Sequence, residues 1–169
     1  MMTGTPIESN VWMAYLLTVF LVVTGFAVYD ILYRRVPDRA LVFFIPLAAA
    51  APLIKAWFAL DCGQSSLWLW PIFAKSLIGA LLGFSIPLAA AMVTGGTGMG
   101  GGDIKFCGVL GLIYGPSGMS IVFLVSAVCA MPIILMIRRI YRDWRPLSIP
   151  FLPFLACGCS VATLAELFL

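Results

Sequence analysis

Six long apolar runs dominate the sequence, from about Val11 to Tyr29, Ala40 to Leu60, Leu67 to Val93, Ile104 to Tyr114, Met119 to Ile137 and Ile149 to Leu169. Most approach the ~20 residues a helix needs to cross a bilayer. Hydrocarbon offers no water to backbone N–H and C=O groups, so a spanning segment must pair them internally, as a helix does. Composition closes the soluble alternative, because 63% of the residues are hydrophobic, 10% are charged and the mean hydropathy is +1.10. A compact water-soluble domain of this size needs a mostly polar coat, and the side chains for it are missing. The chain is therefore read as all-α, a polytopic membrane helical bundle with about six transmembrane helices. It forms a single integral membrane domain over residues 1–169 with the lipid bilayer as its solvent.

The run from Ile104 to Tyr114 rises only roughly 16 Å at 1.5 Å per residue, short of a ~30 Å hydrocarbon core, so it is either re-entrant or continues past Gly115-Pro116. Charge favours six crossings. Arg34, Arg35 and Arg39, then Lys105, then Arg138, Arg139, Arg142 and Arg145 all fall on one side, which the positive-inside rule makes cytoplasmic. Both termini then lie on the other side. The first run has no basic segment before it and no obvious small-residue cleavage site after it, so it is expected to stay as a span. In the third run Gly79 and Gly83 show the small-xxx-small spacing that suits close helix contact. No internal repeat or low-complexity tract interrupts the pattern.

Absent residue types narrow the chemistry. Without a histidine, the chain has no His-based metal centre, no Ser-His or Cys-His nucleophile pair and no histidine proton shuttle. The five cysteines are scattered, form no CxxC pair and mostly sit in apolar runs, where cysteine acts as a small hydrophobe. No metal, no cofactor and no nucleic-acid partner is expected, and nothing in the sequence selects an oligomeric state.

Two aspartates stand out. Asp30 lies where the first run meets a basic linker, and Asp103 ends the stretch Gly95-Gly96-Thr97-Gly98-Met99-Gly100-Gly101-Gly102 and opens an apolar helix. The six-crossing topology brings both to the same face. Ionisable groups at membrane depth are costly and mark functional sites. Two carboxylates close enough to share a proton do not both ionise easily, so one serves as base while the other donates. That is the arrangement of an aspartyl protease, with the pair titrating as a unit. Gly100, Gly101 and Gly102, lacking Cβ atoms, reach backbone conformations closed to other residues and let an extended substrate approach. A flexible interhelical loop or an anion-binding backbone nest accounts for the glycines equally well.

These residues resemble the type IV prepilin peptidases, among them the short forms associated with tight-adherence pili. Gly100-Gly101-Gly102-Asp103 matches the GxGD motif of that family, and Ile104-Lys105-Phe106 with Gly108, Gly111 and Gly115 resembles its glycine-punctuated helix. Asp30, Arg34 and Val36-Pro37-Asp38 resemble its other segment, and Ile149-Pro150-Phe151-Leu152-Pro153 resembles its proline-rich approach to the last helix. The resemblance implies an endopeptidase that removes short basic leaders from prepilins and pseudopilins at the cytoplasmic face of the inner membrane. It puts catalysis on Asp30 and Asp103. Gly100, Gly101, Gly102, Lys105 and Pro150 then bind substrate or shape the site. Lys105 either biases the ionisation of the pair or snorkels to the interface. Arg34, Arg35 and Arg39 read as topology determinants, and Asp38 as a turn residue after Pro37. Larger family members also methylate the new N-terminus through a cysteine-bearing cytosolic domain, a spacing this sequence lacks, so no methylation is expected.

Three other readings compete. Presenilin-like proteases share a Tyr-Asp and a GxGD aspartate but have more helices. A transporter or channel subunit would use Asp30 and Asp103 as ion or proton sites. A Mg²⁺-dependent lipid transferase would need a clustered acidic motif that the sequence does not contain.

Overall fold

The computed structural model describes residues 6–33, 38–63, 69–93, 95, 100–140 and 151–168. They form five helices, α1 (Pro6–Tyr33), α2 (Asp38–Asp61), α3 (Leu69–Val93), α4 (Gly101–Ile140) and α5 (Leu152–Phe168). There is no strand among the described residues. Four helices hold segments long and apolar enough to cross a membrane, Asn10–Tyr33, Asp38–Asp61, Leu69–Val93 and Gly101–Met136, while Leu152–Glu166 is a shorter apolar helix. Large apolar side chains face outward along them, among them Phe43, Trp57, Leu81 and Leu124. Such a surface is stable against lipid and not against water. The chain is an integral membrane protein.

The about six helices expected appear among the described residues as five elements, because the fourth and fifth runs are two helical legs of one element. α4 is 40 residues long and breaks at Gly115, whose φ of 65° and ψ of −173° leave the helical region. A positive φ is open to glycine and strained for other residues, and the following Pro116 suits the first position of a new helical turn. The break is a reversal rather than a bend. Tyr114 reaches Cys159 and Thr163 of α5, and Val122 and Ser126, eight and twelve residues further along, still lie against Gly158, the neighbour of Cys159, where a straight helix would have carried them well past it. The second leg thus returns alongside α5. An unbroken helix of this length would run about 60 Å, twice the hydrocarbon core, and folding it at Gly115 makes it fit.

α4 occupies the centre, packed on α3, α5 and α2. Along α3 the contact is backbone to backbone. A Cβ on Gly79 would run into the main chain of Gly111 and Gly115, and one on Gly83 into that of Cys107. The small-xxx-small pair therefore does what its spacing suggests. α1 is held differently. It leans on α5, meets α2 only sparsely and hardly approaches α4. Long side chains span the α1–α2 boundary. The Tyr15 hydroxyl donates to the Leu47 carbonyl at 2.9 Å, and the Lys55 ammonium sits 4.6 Å above the Trp12 ring. Lys55 also pairs with Glu166 of α5 at 3.6 Å.

Candidate active site

Asp30 lies in the last turn of α1 and Asp103 in the first turn of α4. The fold brings both to one end of the bundle, each one helical turn beyond a ring of the Phe26–Phe106 contact, whose centroids are 5.1 Å apart. No hydrogen bond joins them among the described residues. Asp30 is 5% exposed, and Asp103 is half-buried.

Each carboxylate is met by a helix N-terminus. Asp103 belongs to the opening turn of its own helix, where an acid is favoured by the backbone dipole. Its N–H donates to the Gly100 carbonyl at 3.1 Å, and the Ile104 N–H donates to the same oxygen at 3.4 Å, which fixes the start of α4. Asp30 has the opposite local problem, since a helix C-terminus repels an anion. α5 supplies the remedy. The Leu152 N–H donates to Asp30 Oδ2 at 3.4 Å in a buried contact. That donor is free because it opens the helix, where the first N–H groups have no intrahelical acceptor. Pro153, next in line, has no N–H, while Phe154 and Leu155 both donate to the Phe151 carbonyl. The proline-rich approach therefore aims one backbone donor at one carboxylate.

The glycines act differently from expectation. Gly101 and Gly102 are already helical, and positive φ occurs at Gly63, Gly95 and Gly115 rather than at 100–102. What they provide is clearance. A Cβ on Gly101 would meet nothing within 4 Å, and the neighbour nearest to one on Gly100 would be the Asp103 carboxylate. One side of Asp103 is thus left open. Lys105 points outward and pairs with Asp38 at 3.2 Å, the two side chains being 55% and 73% exposed. Asp38 is the first residue of α2 rather than part of a free turn. Pro150, Arg34 and Arg35 lie outside the described residues.

Two features were not read from the sequence. One is the Leu152 donor, for which Pro150 and Pro153 were the available signal. The other is an aromatic cluster of Phe26, Phe44 and Phe106 beneath the two aspartates, with ring centroids 5.1 to 5.8 Å apart. Phenylalanines in an apolar chain carry no signal that singles out three of them. Among the described residues, no group of three or more His, Cys, Asp or Glu side chains gathers as a metal site.

An apolar helical bundle that gathers two carboxylates from distant stretches at one end defines an integral membrane protein with two acids in its candidate site. Comparison with known proteins places it more closely. The chain belongs to the type IV leader peptidase family, which it matches over residues 15–135, a stretch that includes both aspartates and the GxGD motif. It is 34% identical over 145 residues to the prepilin leader peptidase/N-methyltransferase of Bacillus subtilis (strain 168), an alignment covering 82% of this chain and 50% of that protein. The chain spans about half the length of this curated relative. No solved structure matches.

Proposed function

We propose that this protein is an aspartyl endopeptidase that removes the basic leader peptide from prepilins and pseudopilins at the cytoplasmic face of the inner membrane. The observation that carries the reading is the placement of Asp30 and Asp103 at one end of the bundle, within the stretch that matches the type IV leader peptidase family. One carboxylate withdraws a proton from water, and the resulting hydroxide attacks the scissile carbonyl carbon. The other, protonated, donates to the carbonyl oxygen, giving a tetrahedral diol without a covalent enzyme intermediate. Collapse of the diol returns a proton to the departing amine and resets the pair. Acid and base are properties of the pair, not of either residue alone. The extended leader passes over the open side of Gly100 and Gly101. Carboxylates not hydrogen-bonded to each other suit a resting site that tightens on substrate.

Co-expression with a candidate prepilin, scored by gel shift, tests this. Wild type should release the leader, while Asp30→Asn and Asp103→Asn, nearly isosteric and still membrane-inserted, should each lose processing. Cleavage surviving either change rejects the two-aspartate mechanism and favours an ion- or proton-handling role for these residues.

A further inference from the structure

The two helices that bear the aspartates barely touch, which leaves open what holds their separation. α1 and α4 each lean on α5, and their backbones hardly approach one another. One set of side chains bridges them near the site. Phe26 lies four residues before Asp30 and Phe106 three residues after Asp103, so each sits one helical turn deeper than an aspartate and on the same side of its helix. The third ring, Phe44, comes from α2, which carries neither aspartate. Its centroid is 5.3 Å from that of Phe106 and 5.8 Å from that of Phe26, and these two are 5.1 Å apart. Phe44 and Phe106 are 2% and 0% exposed.

Stacked and edge-on contacts of this kind have preferred geometries, so three mutually touching rings restrain position more tightly than aliphatic packing. The α2–α4 arrangement is reinforced at the surface by Asp38 and Lys105, but that exposed pair contributes little. The aromatic contact is the buried one. From these observations we infer that Phe44 is a positioning residue for the reaction. It wedges against Phe26 and Phe106 and thereby sets the spacing of Asp30 and Asp103 from a helix that supplies no catalytic group. The inference rests on the endopeptidase reading only for its kinetic consequence, since the geometric consequence holds whatever the aspartates do.

Two measurements test it. Leader cleavage by Phe44→Ala, at matched amounts of membrane-inserted protein, should lose kcat on the order of tenfold or more with KM little changed, because small displacements of reacting groups act on the chemical step. Phe44→Met, which keeps volume and contacts both rings through sulfur, should recover the rate to within a few-fold. Separately, in a protein whose native cysteines are replaced by alanine, the pair Asp30→Cys and Asp103→Cys is treated with a short bifunctional thiol cross-linker. Phe44→Ala should lower this yield several-fold. It should leave unchanged the yield of a control pair, Tyr114→Cys and Thr163→Cys, at the opposite end of the bundle. Loss of both yields makes Phe44 merely structural and overturns the inference, as does an unchanged Asp30–Asp103 yield. A wild type that cleaves no prepilin rejects the endopeptidase reading alone, because the cross-links still report on Phe44.

Discussion

The seam between α3 and α4 and the boundary between α1 and α2 solve the same problem in opposite ways. At the seam, glycines remove side chains altogether, and Gly79 and Gly83 lie against the main chain of Gly111 and Cys107. At the boundary the backbones stay apart, and Tyr15, Phe26 and Lys55 reach across the gap. Lipid tails are as apolar as leucine, so helices in a bilayer associate through close packing and hydrogen bonds rather than through burial from water. The seam uses the first means and the boundary the second. The lesson concerns rigidity. Asp103 rides on a helix in close backbone contact with α3, whereas Asp30 rides on one that packs along α5 and is tied to α2 at only a few points. The seam should fail all at once when disturbed and the α1–α2 boundary contact by contact.

The largest effect should come from filling the seam. Gly79→Leu or Gly111→Leu places atoms where the facing backbone already is, and a backbone cannot rotate aside as a side chain can. Overpacking of this kind costs about 1–3 kcal/mol or more. Thermal unfolding in detergent should show a clear drop in midpoint, with less protein accumulating in the membrane. A leucine tolerated at either position would show that the seam is no more rigid than the boundary.

A smaller, more local effect should follow removal of the donor to Asp30. Proline is accepted at the first position of a helix, so Leu152→Pro deletes the N–H while sparing the helix. Leu152 is 1% exposed, so Leu152→Ala is the control for lost packing. A hydrogen bond to a charged group is worth about 1.5–3 kcal/mol. Leu152→Pro should therefore cleave leader on the order of tenfold more slowly than Leu152→Ala at similar thermal stability. Equal rates would show that Asp30 does not depend on that single contact.

The smallest effect belongs to the exposed Lys105–Asp38 pair. Such pairs contribute about 0–1 kcal/mol and weaken with salt. Lys105→Ala and Asp38→Ala should each shift the melting midpoint only slightly, and the difference should fade at high ionic strength. A large, salt-independent loss would mean that this pair, rather than the buried rings, anchors α2.

Much of the fold was legible in the sequence because hydrocarbon allows few solutions. Apolar runs of the right length had to be helices, and Gly79 and Gly83 marked a close contact that is present. The runs ending at Tyr114 and beginning at Met119 are two helical legs, as their separation in the sequence suggests, but how one turns into the other depends on the conformation of Gly115. The Gly115-Pro116 dipeptide hinted at this without fixing it. At the site, Asp30 and Asp103 stood out because charge is rare in this chain. Lys105 was noticed for the same reason, but not its partner, since nothing local links it to Asp38. The Leu152 N–H and the three phenylalanines escaped notice because neither is chemically distinctive. A backbone donor has no residue type, and phenylalanine is abundant here. What the sequence displays is the unusual group, and what it conceals is the ordinary group in an unusual place.

The contact between Asp30 and the start of α5 also has a consequence for timing. The ribosome produces Asp30 early and Asp103 well before Leu152, so a chain still in synthesis holds both aspartates while the donor does not yet exist. Until α5 docks, Asp30 sits at the unfavourable end of its own helix without that donor. Asp30 therefore gains its backbone donor only when the last described helix is in place, so the order of synthesis makes α5 the element that completes this end of the bundle.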